Sequence, residues 1–199
     1  IDGYYMQTSN RSVERNYSSM VQRNAKYIMT AFQLGSLLKS YAAQDMQGRL
    51  AMKPKVEEAI KSVYENFDAE LEGEMLNSMV NLYQQNVNQD VGLPTLMNAD
   101  ANGLSLLAQS SIFANKASVV NFILNPDRLK LDADPLYKMA NSFATDSRLL
   151  GDRFSKVDAY FAKNNRLYLA GLMKAFPNKK FYPDANGTMR LTYGTVDTL

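Results

Sequence analysis

Apolar residues recur along most of this chain at intervals of three and four, the spacing that gathers one face of an α-helix. From Ser9 or Ser12 they fall at Val13, Tyr17, Met20/Val21, Tyr27/Ile28, Ala31/Phe32 and Leu38, with Asn24 filling one polar step. This predicts an amphipathic helix of about seven turns, with Gly35 as a candidate kink and Gly48 as its stop. Met52-Lys53-Pro54 opens a second helix, proline being tolerated in a first turn, and Val56, Ala59/Ile60, Val63/Tyr64 and Phe67 form its apolar face. Asp68 is placed to cap a third, in which Leu71, Met75/Leu76, Met79 and Leu82/Tyr83 keep the spacing. Residues 86–103 are rich in turn formers (Asn88, Asp90, Gly92, Pro94, Asn98, Asp100, Asn102, Gly103) and predict a surface loop with a corner between two subdomains.

Short helices are expected around 104–108 and from Asn115, a good cap, through Val119/Val120 and Phe122/Ile123, ended by Asn125-Pro126-Asp127. Asp134-Pro135 is a strong helix start, a capping carboxylate before proline at the first helical position. From Leu136 through Ala140, Phe143, Ser147, Leu150, Phe154, Val157, Phe161, Asn165, Tyr168 and Leu172 to Phe176 the mean step is about 3.6 residues, so 135–176 would span about 60 Å as one helix. Gly151 and Asn164-Asn165 are where it would bend. The pattern then changes. Pro183, Asp184, Asn186 and Gly187 make a turn, and from Thr188 the residues alternate, Thr188, Arg190 and Thr192 against Met189, Leu191 and Tyr193, as in a half-buried strand. A lone strand has unpaired edges. The expectation is an all-α fold, an antiparallel bundle or hairpin of long helices over residues 1–180, and one orphan strand within 181–199 whose partners belong to a larger protein.

Composition narrows the chemistry. Of 199 residues 46% are apolar and 21% charged, which suits a globular chain, and 22 basic against 20 acidic residues leave a net charge of only +2. The densest basic pair is Lys179-Lys180, too little for a nucleic-acid footprint. No run of eighteen apolar residues suggests a membrane span. The sequence holds no histidine and no cysteine, so these residues cannot assemble a His-based triad, a thiol nucleophile, a disulfide or a His/Cys metal site. Ser9, Ser12, Ser18, Ser19, Ser36 and Ser40 lack the glycine-flanked elbow of a nucleophilic serine, and no phosphate-binding glycine motif occurs. The acidic residues Asp68, Glu70, Glu72 and Glu74, and Glu57-Glu58, read as first-turn and solvated carboxylates rather than a metal site. Asp100 to Gly103 has the opening of a calcium loop, but Ile112 stands where the bidentate glutamate belongs. No catalytic residue, cofactor or metal is assigned.

A set of short stretches carries a family resemblance: Tyr182-Pro183-Asp184-Ala185-Asn186 followed by Thr188 to Gly194, then upstream Arg166-Leu167-Tyr168, Leu172-Met173, Asp134-Pro135, Ser111-Ile112-Phe113, Leu93-Pro94 and Leu82-Tyr83. They resemble the bacterial serine dipeptidyl peptidases of peptidase family forty-six, the dipeptidyl peptidase 7 and 11 type enzymes, most specifically over residues 110–196 and more loosely back to 52. The resemblance implies a chymotrypsin-like double β-barrel with a helical domain inserted between its halves. That domain covers a cleft from which dipeptides are released from peptide N-termini, in enzymes exported to the periplasm or cell surface. This chain would then be most of the helical insert and the first strand of the returning barrel. Its partners would be the missing barrel halves of the same protein and a peptide substrate. The family's catalytic His and Asp precede the insert, its Ser follows in a Gly-Asn-Ser-Gly context, and none matches a position here. The family's specificity-setting residue follows that Ser, and its helical-domain Asn for the substrate amine falls before Ile1.

Asp184, Asn186 and Arg190 are the one polar trio beside the expected barrel entry, readable as a substrate contact or, in preference, as a turn locked by two side chains with an arginine on the polar face of the strand. The alternative to the peptidase reading is a stand-alone helical protein-binding or scaffold module, its groove made of Tyr- and Met-rich helix faces.

Overall fold

The computed structural model describes residues 2–179 and residue 181, with side chains from residue 9 onward except at 156 and 157. Regular structure among them is all helical: α1 Asp2–Asn24, α2 Lys26–Ala42, α3 Met46–Tyr64, α4 Ala69–Asn86, α5 Pro94–Met97, α6 Leu104–Gln109, α7 Lys116–Leu124, α8 Arg128–Ala133 and α9 Pro135–Ala175. The strand expected at 188–196 and the turn before it lie outside the described residues. The chain divides into two compact units, Ile1–Arg153 and Phe154–Leu199.

The first amphipathic stretch is two helices, not one. It breaks at Ala25, whose φ of −86° and ψ of 79° leave the helical region, and no side chain caps the first turn of α2. Gly35, the expected kink, is buried inside α2, and a Cβ there would collide with the ring of Tyr137 from α9. The glycine is needed for close approach of two helices rather than for a bend. Gly48 is no stop either. Asp45 accepts a hydrogen bond from the Gly48 amide at 2.8 Å, which starts α3 at Met46 and leaves Pro54 inside the helix. A capping carboxylate three residues upstream outweighs the general tendency of glycine to end helices. Helix α8 was not expected from the pattern. Asp127 caps it through the amides of Leu129 and Lys130, at 2.9 and 3.4 Å.

Helix α4 is the hub of the first unit, packing against α1, α2, α5 and α6. Asp68 caps it as expected, accepting from the amides of Glu70 and Leu71 at 3.0 and 3.1 Å. Its buried face is Leu76, Val80 and Tyr83, whereas Leu71 is 55% exposed and Glu72 and Gly73 are buried in its place. The corner before α4 is held by aromatic edges, with Phe67 5.0 Å from both Tyr27 and Tyr64 between ring centroids. Tyr27 donates to the Ala114 carbonyl at 2.9 Å and Tyr64 to the Phe113 carbonyl at 3.0 Å, which fixes residues 113–114 against α2 and α3.

Asp134 starts α9 as expected and does more. Its carboxylate accepts from the Tyr137 amide at 2.9 Å, the Ser111 hydroxyl at 3.0 Å and the Ile112 amide at 2.7 Å, while only 5% exposed. Helix α9 runs 41 residues without interruption at Gly151 or at Asn164-Asn165. Within the first unit it buries Leu136, Ala140 and Phe143; within the second, Leu167, Tyr168, Leu169, Met173 and Phe176 are exposed.

Candidate functional site

The stretch 86–103 is a chain of turns around the short helix α5, tied down from two sides. From α4, the Gln84 side-chain amide donates to the carbonyls of Leu96 and Ala99, both at 2.8 Å. From α9, Asp146 accepts from the Thr95 amide at 2.8 Å and the Thr95 hydroxyl at 2.6 Å. Held this way, residues 94–107 and the first turns of α9 enclose an open groove of about 390 Å³, with Leu104, Leu107 and Met139 on its walls and Asp100 and Lys138 among its lining. The groove offers shape, one carboxylate, one ammonium, the Asn98 amide and the hydroxyls of Thr95 and Ser142. The Thr95 hydroxyl is committed to Asp146, and with no histidine in the chain to serve as its base the arrangement suits holding a ligand rather than activating a nucleophile. A second groove of about 490 Å³ lies between α3 and α7, lined by Met46, Arg49, Leu50, Lys53 and Leu124 among others.

The structure separates the residues that spacing had grouped. Asp68 serves the α4 cap, and Glu72 is buried against Lys26 at 2.6 Å, while Glu70 and Glu74 face solvent. Glu57 is exposed, 3.8 Å from Lys53. Among the described residues no group of three or more acidic side chains is arranged to hold a metal ion. Asp100 accepts from the Asn102 amide at 3.3 Å, and its carbonyl accepts from the Gly103 amide at 2.9 Å, a local turn. Three of the serines noted in the sequence bond their own helix: Ser18 to the Arg15 carbonyl, Ser36 to that of Gln33 and Ser40 to that of Ser36. Asp184, Asn186 and Arg190 lie outside the described residues.

Two buried polar nodes were not found by pattern. One is Ser111 with Asp134; the Asp-Pro helix start pointed to the carboxylate but not to its distant partner. The other is Glu14, 4% exposed, whose Oε1 accepts from the Tyr83 hydroxyl at 3.2 Å, while that oxygen accepts from the Leu93 amide at 2.8 Å. A signal was present, since Glu14 stands on the helical face of Tyr17 and Val21. Burial pushes the Glu14 carboxyl above its ordinary range, against the opposing pull of hydroxyls from Tyr83 and Ser18 and the charge of Arg11. Burial also raises Tyr83, opposed by the Leu93 amide and reinforced by the Glu14 charge.

The family model described as Peptidase S46 matches residues 1–199. The chain is 23% identical over 202 residues to an Asp/Glu-specific dipeptidyl-peptidase of Flavobacterium psychrophilum, covering 97% of this chain and 28% of that protein. It is 24% identical over 210 residues to dipeptidyl-peptidase 7 of Capnocytophaga gingivalis, covering 98% and 28%. A shorter match, 36% over 95 residues, covers 47% of this chain and 13% of an Asp/Glu-specific dipeptidyl-peptidase of Porphyromonas endodontalis. The chain thus spans about 28% of the length of the relatives that it matches end to end. No solved structure matches it. No helix among the described residues is long and apolar enough to cross a membrane.

Proposed function

The chain belongs to the Peptidase S46 family, and from that premise we propose that it is the helical part of a serine-type dipeptidyl aminopeptidase, a lid that encloses the substrate cleft and takes no part in the bond-breaking step. The observation that carries this reading is the match of the family over all 199 residues of a sequence that has no histidine and no cysteine and is helical throughout its described elements. A helical segment of this kind contributes enclosure: closing over a cleft excludes water and limits entry to peptide ends. The groove beside α5 and the exposed apolar side chains of α9 are surfaces on which such a segment meets a peptide or the rest of its own protein. We further propose, from the family resemblance, that the parent protein works in the periplasm or at the cell surface. Relatives named as Asp/Glu-specific and as dipeptidyl-peptidase 7 both match, so no side-chain preference is assigned.

The test compares the parent enzyme, the parent with residues 1–180 replaced by a short linker, and the isolated 199-residue chain on fluorogenic dipeptidyl substrates. The parent should release dipeptides under inhibition by a serine-directed reagent, and the isolated chain should release none. Turnover by the isolated chain that the same reagent abolishes would sink the reading. A linker variant that keeps strict dipeptide release from N-termini would remove the lid role while leaving the family assignment intact. The alternative of an unrelated helical binding module is disfavoured by the full-length family match.

A further inference from the structure

We propose that Glu14 is a proton-operated latch that holds α1 on α4 and on the loop 87–93, with the uncapped break at Ala25 as the hinge about which α1 releases. The latch belongs to the first unit and does not rest on the lid reading. Its geometry is a relay through three segments: Glu14 Oε1 on α1 accepts from the Tyr83 hydroxyl on α4 at 3.2 Å, and Tyr83 Oη accepts from the Leu93 amide at 2.8 Å. Tyr83 is fully buried, Leu93 is 1% exposed and Glu14 is 4% exposed, so water does not share these bonds. Such a relay is cooperative, each bond polarising the next. Between α1 and α2 the chain leaves the helical region at Ala25 with no capping side chain on α2, which is where a small change in φ and ψ swings α1 without unwinding either helix.

The charged and titratable groups around the carboxyl are few. Helix α1 itself brings Arg11, whose Nη1 also donates to the Leu150 carbonyl at 3.2 Å, together with the Ser18 hydroxyl. Helix α4 brings Tyr83. Helix α9 brings Asp146, whose negative charge bears on Tyr83 and which is bonded to Thr95. The loop brings the Leu93 amide. Burial outweighs the stabilising contacts, so the docked state holds the carboxyl proton more tightly than the released state, which is open to water. The sign follows. Docking is firm below the ordinary carboxylate range and weakens as pH rises towards the raised value of the docked state, by at most about tenfold in the opening equilibrium per pH unit. Above that value the response is flat.

Hydrogen exchange of the full-length protein from pH 4.5 to 8, corrected for intrinsic rates, reads the opening directly at the amides of residues 9–24 and 91–93. Opening should rise with pH and then level. Glu14→Gln keeps an acceptor for Tyr83 and cannot ionise, so its exchange should stay slow and independent of pH. Ser18→Ala removes a hydroxyl that favours the carboxylate and should move the levelling point to higher pH. A flat response in the unmodified protein overturns the latch, as does a response of the same slope in Glu14→Gln. Should Glu14→Gln fail to fold by circular dichroism, Ser18→Ala decides: a levelling point that moves up supports the latch and one that stays fixed overturns it.

Discussion

At Gly35 a single hydrogen in place of a methyl decides whether α2 and α9 can touch. The Gly35→Ala Cβ would press on the buried Tyr137 ring, and overpacking of this kind costs about 1–3 kcal/mol. Urea denaturation should show a loss of that size with an unchanged slope. Asp134 is the opposite case, a residue whose removal orphans its neighbours. Asp134→Ala strips acceptors from the Ile112 and Tyr137 amides and the Ser111 hydroxyl, and a loss of about 3 kcal/mol is expected in the same assay. Tyr64 and Tyr83 both titrate above the usual phenol range because they are buried. A group raised in the folded state contributes stability that is complete below its unfolded value, near 10 for a phenol, and is lost as pH rises from there towards the folded value. The urea midpoint should therefore begin to fall near pH 10 and keep falling above it, and Tyr64→Phe should flatten that fall while costing the bond to Phe113.

Among the elements, α3 and α4 start on the same device, an aspartate accepting from amides two or three residues ahead. Asp68→Ala should weaken the first unit by about 1 kcal/mol, measured by thermal unfolding. Pro54 works against its own helix. It stands nine residues into α3, exposed, with no amide for the carbonyl one turn back. Pro54→Ala should raise stability by about 1–3 kcal/mol, and a fall would show that the proline relieves a strain in α3. The starts of α4, α7 and α9 were the most legible part of the sequence, whereas that of α3 was misplaced to residues 52–54. Asp68, Asn115 and Asp134 all cap where their side chains suggested, because a cap is a local bond between residues a turn apart. The breaks were less legible. Ala25 carries no signal of its own, and the helices on either side of it both pack on α4.

For the whole chain, the buried large side chains of the first unit run from Val21 to Phe143, so that core closes before Arg153. A chain ended at Arg153 should keep cooperative unfolding by circular dichroism; a non-cooperative melt would place part of the core in the second unit. By itself the sequence determined the all-helical class from residue 9 onward, the caps at Asp68, Asn115 and Asp134, the long last helix and the family, since these depend on side chains close along the chain or on short recognisable runs. It also limited the chemistry, because residue types that are absent cannot be supplied by folding. Only the tertiary structure decided that Gly35 serves contact rather than bending, that Glu72 rather than Leu71 turns inward, and that Glu14 meets Tyr83 and Leu93. Each of these joins residues on different helices, and periodicity reports only the face of one helix, not the neighbour that covers it.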